Sequence, residues 1–194
     1  MTVRTYGLPE GYRIREKPEH WDDTHMKDEW QREVYLMASA IMASNDYKSV
    51  IDIGCGSGFK LMKYLDRYHT VGVDVPLTVD WLRDRYPSRE WLTNAPKRQF
   101  DLVICADVIE HVLDPDALCR TIRSVAGGHI IISTPDRLRP GEPPFGPSTN
   151  RSHVREWSFH EFGSYMREQF DVMHQVRTNE QQSTYAVIAK VKKP

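Results

Sequence analysis

The sequence predicts an α/β fold, a doubly wound sheet of about seven strands, mainly parallel, with an antiparallel last strand and helices on both faces. From residue 49 onward, short apolar runs alternate with amphipathic stretches, which is typical of parallel strands joined by helices. The run HIIIST at 129–134 is apolar almost throughout, as expected of a strand buried on both faces. Only TNEQQS separates the last two predicted strands, and so short a connection favours a hairpin.

Each element follows from this pattern. Apolar residues recur at spacings of three and four between residues 24 and 43 and predict the first helix, with Trp30 in the core. The other predicted elements are strands at 49–54, 70–75, 89–93, 100–106, 129–134, 170–177 and 184–191, and helices at 58–68, 78–86, 114–125 and 158–168. Ser158 and Glu161 match the S-x-x-E capping box, which gives Glu161 a structural role.

The chain of 194 residues is expected to be a single domain, 1–194. Residues 1–45 join a polar, aromatic segment to the first helix and are expected to form an N-terminal cap. The proline-rich segment 135–157 is too irregular for a helix or strand, and long loops of this kind are commonly lids or binding loops.

Composition argues against several classes of partner. The chain has 26 basic and 27 acidic residues, whereas nucleic-acid-binding domains usually carry a basic surface. No apolar run approaches the ~18 residues of a membrane span, and the N-terminus lacks the apolar region of a signal peptide. Cys55, Cys105 and Cys119 lack paired metal-binding spacing, so reduced thiols in a cytoplasmic protein are expected.

Three glycines at every second position follow the first predicted strand. Gly54, Gly56 and Gly58 in VIDIGCGSGF indicate that the backbone passes close to another group. In open α/β sheets, ligands bind beyond the carboxyl ends of the strands, where this loop lies. A dinucleotide fingerprint would need glycine at position 59, where Phe59 stands, and no G-K-[ST] phosphate loop follows.

Three segments in order resemble the motifs of class I S-adenosylmethionine-dependent methyltransferases. DIGCGSG at 52–58 is similar to D-x-G-x-G-x-G, and Asp74 ends the second strand 22 residues after Asp52. FDLVICADVIEHVLDP at 100–115 resembles the fourth-strand segment of the same superfamily. The resemblance covers roughly 50–135 and implies a Rossmann-like fold, S-adenosyl-L-methionine as cofactor, and methyl transfer.

The resemblance also implies which residues contact the cofactor. Asp52 and the glycine loop are expected to hold its amino acid end and Asp74 its ribose, because carboxylates suit ammonium and hydroxyl groups. Asn94 stands where many members carry an aspartate near the adenine. The expected cofactor-binding residues are Asp52, Gly54, Cys55, Gly56, Gly58, Asp74, Val75, Asn94, Ala106 and Asp107. The alternative for Asp52 and Asp74 is a structural turn at the end of a strand.

Two histidines are candidates for the base that a hydroxyl acceptor needs. His111 in IEHV either takes the proton or only shapes the pocket. His153 lies in HVREW, which resembles a segment of bacterial methyltransferases associated with sugar modification. Arg155 and Trp157 in that segment are expected to bind the acceptor, Arg155 through a carboxylate or phosphate. Alternatively, Arg155 pairs with Glu156 on the surface and Trp157 packs on the next helix.

The resemblance therefore predicts an enzyme that methylates a small molecule, preferably at a hydroxyl of a sugar or secondary metabolite. Alternatives are a non-catalytic S-adenosylmethionine- or partner-binding module on the same fold, and an N- or carboxyl-methyltransferase. No metal site is expected: Asp107 and Asp114 are available, but Asp101 begins a strand and so lies at the wrong end of the sheet. CADVIEH stands where nucleic-acid base methyltransferases carry a D/N-P-P-Y/F run, which argues against that substrate.

Overall fold

A computed structural model describes residues 5–28, 30–179 and 183–192. The strands are β1 (Ser49–Ile53), β2 (His69–Val73), β3 (Glu90–Leu92), β4 (Phe100–Ala106), β5 (Ala126–Pro135), β6 (Asp171–Asn179) and β7 (Thr184–Lys190). The helices are α1 (Arg32–Ser44), α2 (Phe59–Leu65), α3 (Pro76–Arg85), α4 (Pro115–Val125) and α5 (Phe159–Gln169), and a short 3₁₀ turn spans Ile109–His111.

The strands form one sheet in the order β3-β2-β1-β4-β5-β7-β6. Strands β1 to β5 pair in parallel, and β7 lies antiparallel between β5 and β6. This confirms the predicted, mainly parallel sheet with an antiparallel last strand. Because the chain leaves β1 toward β2 and β3 and then returns to β4, the strand order reverses between β1 and β4. A crevice at the carboxyl ends of these two strands is the expected ligand site of such a sheet.

Alternating side chains of each central strand enter two separate cores. In β4, Val103 and Cys105 pack with residues of α4 and α5 on one face. Leu102 and Ile104 pack with α1, α2 and α3 on the other face. The same alternation turns Asp52 of β1 toward the α1 face, since its neighbour Ile51 belongs to the α4–α5 core.

The first helix begins at Arg32, eight residues later than the apolar spacing predicts. The preceding backbone is held by side chains of the next helical segment: Ser57 Oγ donates to the Met26 carbonyl at 2.7 Å, and Lys60 Nζ donates to the Lys27 carbonyl at 2.9 Å. These contacts hold the chain at residues 26 and 27 against the glycine loop and α2, and that stretch is not helical. The core assignment of Trp30 is consequently wrong, because its side chain is 43% exposed and lines a cavity.

Helices α4 and α5 both begin at a side-chain cap near the site. Asp114 caps α4, its side chain accepting from the Ala117 N–H at 3.0 Å. Ser158 and Glu161 form the predicted capping box of α5, and the Glu161 carboxylate also binds Arg137 on both oxygens.

The N-terminal segment and the loop 135–157 lie side by side. Backbone N–H groups of the segment donate to carbonyls of the loop at 2.8–3.0 Å, in the pairs Arg13–Phe145, Arg15–Val154 and Glu19–Arg151. The two segments therefore form a continuous wall above the carboxyl ends of the strands. Among the described residues, no helix has both the length and the apolar character that a membrane span requires.

Candidate active site

A cavity of about 660 Å³ lies at the carboxyl ends of β1, β2 and β4. Its volume is in the range of small-molecule sites. The sheet side of the cavity and the residues after β4 supply Gly54, Cys55, Asp74, Val75, Ala106, Asp107, Glu110 and His111. The N-terminal segment and loop 135–157 supply, among others, Trp21, Asp23, Trp30, Asn150 and His153. Eight of the residues expected from the sequence thus share one cavity.

Asp52 lies at the end of β1, just beneath the cavity wall. Its carboxylate is fully buried, and Tyr35, which lines the cavity from α1, donates its hydroxyl to Oδ2 at 2.7 Å. The other oxygen, Oδ1, has no hydrogen-bond partner among the described residues. Burial raises the pKa of Asp52 to about 7, although the hydrogen bond from Tyr35 works in the opposite direction.

The three loop glycines all have positive φ, between 52° and 76°. A Cβ on Gly54 would clash with Val108, and one on Gly56 would clash with the carboxylate of Asp23. The groups that come closest to the glycine backbone are therefore protein side chains. The close approach that the glycines indicate is therefore made, at Gly54 and Gly56, by two other segments of the chain.

Asp74 follows β2 and faces the cavity. Its carboxylate accepts from the Gly56 N–H at 2.8 Å and from the Val75 N–H at 2.7 Å, which fixes its orientation at the loop. Asp23 brings a second carboxylate close to it from the N-terminal segment. Burial, and then the charge of Asp74, raise the pKa of Asp23 to about 6. Sequence reasoning missed Asp23, because nothing in the local pattern marks it.

Glu110 forms the floor of the cavity beyond β4. Its side chain is fully buried in the 3₁₀ turn, and Oε2 accepts from the Thr134 hydroxyl at 3.0 Å. Oε1 has no hydrogen-bond partner in the described part of the chain. Burial, and then the charge of Asp107, hold the pKa of Glu110 well above its usual range. The sequence signal for this residue was its position beside His111 in IEHV.

His111 and His153 meet above Glu110, their rings edge to face with centroids 4.7 Å apart. The Nδ1 of His111 donates to the Ser152 carbonyl at 3.0 Å, and the Nδ1 of His153 donates to the Glu156 carboxylate. Both rings consequently carry their lone pair on Nε2. The Nε2 of His111 lies 4.0 Å from Glu110 Oε1. Burial lowers the pKa of His111 to about 4, and the adjacent imidazole of His153 adds to this because two rings so close do not both take a proton; the His111 ring is therefore neutral near pH 7.

A family model described as "Methyltransferase domain" matches residues 23–182. The chain belongs to this methyltransferase domain family. It is similar to a ubiquinone biosynthesis O-methyltransferase of Pseudomonas entomophila, with 33% identity over a region covering 46% of this chain and 45% of the relative. The match thus spans less than half the length of that curated relative.

Solved structures of low sequence identity have the same fold as this methyltransferase domain. A SAM-dependent methyltransferase from Aquifex aeolicus superposes with a TM-score of 0.66 at 15% identity, covering 89% of this chain and 100% of that one. The 1,6-didemethyltoxoflavin-N1-methyltransferase of Burkholderia thailandensis, solved with S-adenosylhomocysteine, gives 0.64 at 19% identity, covering 93% and 94%. Their folds agree with the predicted Rossmann-like class.

Two residues expected to bind the acceptor of the methyltransferase domain lie in its core instead. The Arg155 side chain is 1% exposed, and its guanidinium donates to the Val112 and Leu113 carbonyls at 3.3 and 3.0 Å. Trp157 is 0% exposed and donates its indole N–H to the Tyr6 carbonyl at 2.8 Å. Arg155 does not form a surface pair with Glu156 either. The expectation of acceptor contacts is therefore corrected to a structural role.

Asn94 also lies outside the cavity lining of the methyltransferase domain. Its side chain is exposed after β3, and its amide donates to the Thr93 hydroxyl at 3.2 Å. Gly56 and Gly58 sit behind the lining, Gly58 being packed against Leu82 and Trp91. The structure thus brings the expected residues of β1, β2 and β4 together and leaves the one after β3 apart.

Proposed function

We propose that this chain is an S-adenosylmethionine-dependent methyltransferase that methylates a hydroxyl oxygen of a small molecule, preferably a sugar or secondary metabolite. The observation that carries the proposal is the single cavity that joins Asp74 and the glycine loop to His111 and His153. Asp74 and the glycine loop suit a nucleoside with a charged amino acid end, and the two histidines suit a polar acceptor.

The carboxylates fit the proposed cofactor. Asp74 is already oriented by two backbone N–H groups and keeps lone pairs for ribose hydroxyls. The buried Oδ1 of Asp52 accepts from no residue in the described ranges, and the negative charge of this carboxylate suits the ammonium group of the amino acid end. When bound, S-adenosylmethionine supplies a methyl group on a positive sulfur, which leaves with the C–S electron pair as the acceptor oxygen bonds to carbon.

The protein has to orient the acceptor, exclude water and assist removal of the hydroxyl proton. His111 and His153 present Nε2 lone pairs in the cavity, and we assign to them the task of acting on that proton. Trp21 and Trp30 of the N-terminal segment cover the cavity with apolar surface. Together these residues favour a small acceptor that combines apolar surface with hydroxyl groups.

The curated relatives favour oxygen as the methylated atom, since the one from Pseudomonas entomophila is described as a ubiquinone biosynthesis O-methyltransferase. The Burkholderia thailandensis structure, described as an N1-methyltransferase, supports only the fold because its identity is 19%. Arg155, which would have anchored an acidic acceptor, is outside the cavity. Transfer to an alcohol therefore agrees best with the residues present.

The test uses methyl-labelled S-adenosylmethionine with a panel of sugars, phenols and other hydroxylated metabolites. Each acceptor is paired with its O-methylated product, which lacks the reactive hydroxyl. We expect S-adenosylhomocysteine to form with at least one acceptor and not with its methylated partner. Cofactor binding, measured separately by calorimetry, identifies a pure binding module: binding without turnover on any member of the panel would contradict the proposed reaction.

A further inference from the structure

Glu110, His111 and His153 form a cluster that the proposed methyl transfer does not by itself explain. One ligand atom of each side chain lies within 4.8 Å of those of the other two, and all three residues line the cavity. Two imidazoles and one carboxylate are a ligand set that binds first-row divalent metals with coordination positions left open.

The outer partners of the two histidines are those of metal ligands. Metal-binding histidines usually donate their second ring nitrogen to a carboxylate or a backbone carbonyl, which fixes the tautomer. Here the His153 Nδ1 donates to Glu156 and the His111 Nδ1 donates to the Ser152 carbonyl. Both Nε2 atoms thereby carry a lone pair, and that of His153 accepts a hydrogen bond from the Asn150 amide.

Glu110 provides a second, independent observation. Its side chain is 0% exposed, yet Oε1 has no hydrogen-bond partner within the described residues. Leaving a buried carboxylate oxygen without a partner is costly unless something positive binds it. This oxygen lies 4.0 Å from the His111 Nε2, so it points to the same space as the imidazole lone pair of His111.

We infer that Glu110, His111 and His153 hold a divalent first-row transition-metal ion, which binds the hydroxyl of the acceptor. This departs from the expectation of no metal site. The role toward the acceptor rests on the proposed methyl transfer, whereas the ion site does not. A bound ion lowers the pKa of an oxygen that it contacts, so His111 and His153 would assist deprotonation of the hydroxyl by holding the ion and not as bases. The O–H proton passes to water in the cavity, and the electron pair stays on oxygen for the attack.

One contact must change for the ion to bind. The Asn150 amide nitrogen lies 3.0 Å from the His153 Nε2 and donates to it. Asn150 is in the loop 135–157 and itself lines the cavity, so turning its side chain toward the open space releases the lone pair. Neither the Glu156 contact nor the Ser152 contact has to break.

The experiment titrates Co²⁺ into tag-free, metal-stripped protein and follows its visible absorption, which reports imidazole and carboxylate coordination. We expect one ion per chain. Glu110→Gln and His153→Gln should each weaken binding by about tenfold or more. His174→Gln, the same change at an exposed histidine of β6, should leave it unaffected. Equal binding by all four proteins, or no coordinated Co²⁺ in the parent, would overturn the inference.

Two further readouts keep the outcomes separate. Binding of S-adenosylhomocysteine in the presence of EDTA shows that each variant is folded and tests the cofactor site alone. Co²⁺ should also shift the imidazole NMR signals of His111 and His153 in the parent protein before those of His174, whether or not a variant folds. If the protein binds S-adenosylhomocysteine but shows no Co²⁺ absorption or histidine shifts, the ion site alone is refuted. If it shows the Co²⁺ changes but does not bind S-adenosylhomocysteine, the proposed function alone is refuted.

Discussion

The hydroxyl of Tyr35 donates to the buried Oδ2 of Asp52 at 2.7 Å, across the contact between α1 and β1. The bond holds the carboxylate in place, while none of the residues that the structure describes donates to its second oxygen. Because burial raises the pKa of Asp52 to about 7, the charge that we assign to cofactor binding is only partly present at neutral pH. Cofactor affinity should therefore depend on pH in a direction that the structure sets.

We expect the affinity for S-adenosylmethionine to rise about tenfold between about pH 6 and about pH 8, because binding of an ammonium group favours ionised Asp52. Binding near pH 6.5 should release a proton. Calorimetry in two buffers of different ionisation enthalpy measures both effects. Tyr35→Phe removes a hydrogen bond that lowers the pKa of Asp52, so the rise in affinity should move to higher pH. A profile that is identical in Tyr35→Phe would argue against Asp52 as its source.

The same carboxyl should affect stability in the opposite direction. Its folded-state pKa of about 7 exceeds the unfolded value of about 3.9, so the protonated form favours folding. That contribution is fully present below about pH 4 and is lost as the pH rises through 7. At pH 8, the free energy of unfolding of Asp52→Asn, measured with denaturant, should accordingly be roughly 1–3 kcal/mol higher than that of the parent. The same variant should bind the cofactor poorly. A variant that is less stable than the parent at pH 8 contradicts this account.

Asp74 should be needed for cofactor affinity. Asp74→Asn keeps the size of the side chain but loses the charge-assisted bonds to hydroxyls, and one amide group cannot accept from both Gly56 and Val75 in the same way. We expect S-adenosylhomocysteine to bind about tenfold or more weakly by calorimetry. Asp80→Asn on the exposed side of α3 is the matched control. Equal affinity of the two variants would remove Asp74 from the cofactor site.

How much the sequence predicted depends on whether a signal is local. Apolar runs and the glycine spacing identify β1, β2 and β4 and their loops, because each strand is buried on both faces. The start of α1 was missed because Ser57 and Lys60, distant in sequence, bind the carbonyls of residues 26 and 27. The apolar spacing continues through residues 26–30 although the helix does not.

The residues of the candidate site also divide into those with a local sequence signal and those placed by contacts between distant segments. Asp74 directly follows β2 and His111 lies in the short 3₁₀ turn after β4, so the topology brings both to the crevice. Asp23 and the unsatisfied oxygen of Glu110 depend on contacts between distant segments, and no residue pattern marks them. Arg155 was misread because a charged residue in a polar loop is usually exposed, whereas this guanidinium satisfies two backbone carbonyls in the core.

The structural role of Arg155 can be tested directly. Arg155→Met keeps the bulk of the side chain but leaves the Val112 and Leu113 carbonyls without donors, which should lower the free energy of unfolding by ~1–3 kcal/mol. Arg151→Met, in the same loop but exposed, should cost little. Denaturant unfolding measures the difference. A normal stability combined with a raised KM for the acceptor would restore the interpretation as an acceptor-binding residue.

Gly56 should tolerate alanine less well than Gly141, another glycine with positive φ. Its φ of 52° already disfavours a side chain, and a Cβ would clash with the Asp23 carboxylate. Gly141→Ala carries the cost of a positive φ, which is 91°, but no clash, because no described atom lies within 4 Å of the added Cβ. We expect Gly141→Ala to cost ~1 kcal/mol of stability and Gly56→Ala clearly more, together with weaker cofactor binding.

A double-mutant cycle separates the clash from the backbone strain. If the Asp23 carboxylate is the group that clashes with a Cβ at position 56, Asp23→Ala should recover part of the stability lost in Gly56→Ala. It should not recover the stability lost in Gly141→Ala. Such coupling would show that the N-terminal segment rests on the glycine loop in solution. Strict additivity of Asp23→Ala and Gly56→Ala would mean that the two segments are not in contact, and the glycine would then have to serve the ligand alone.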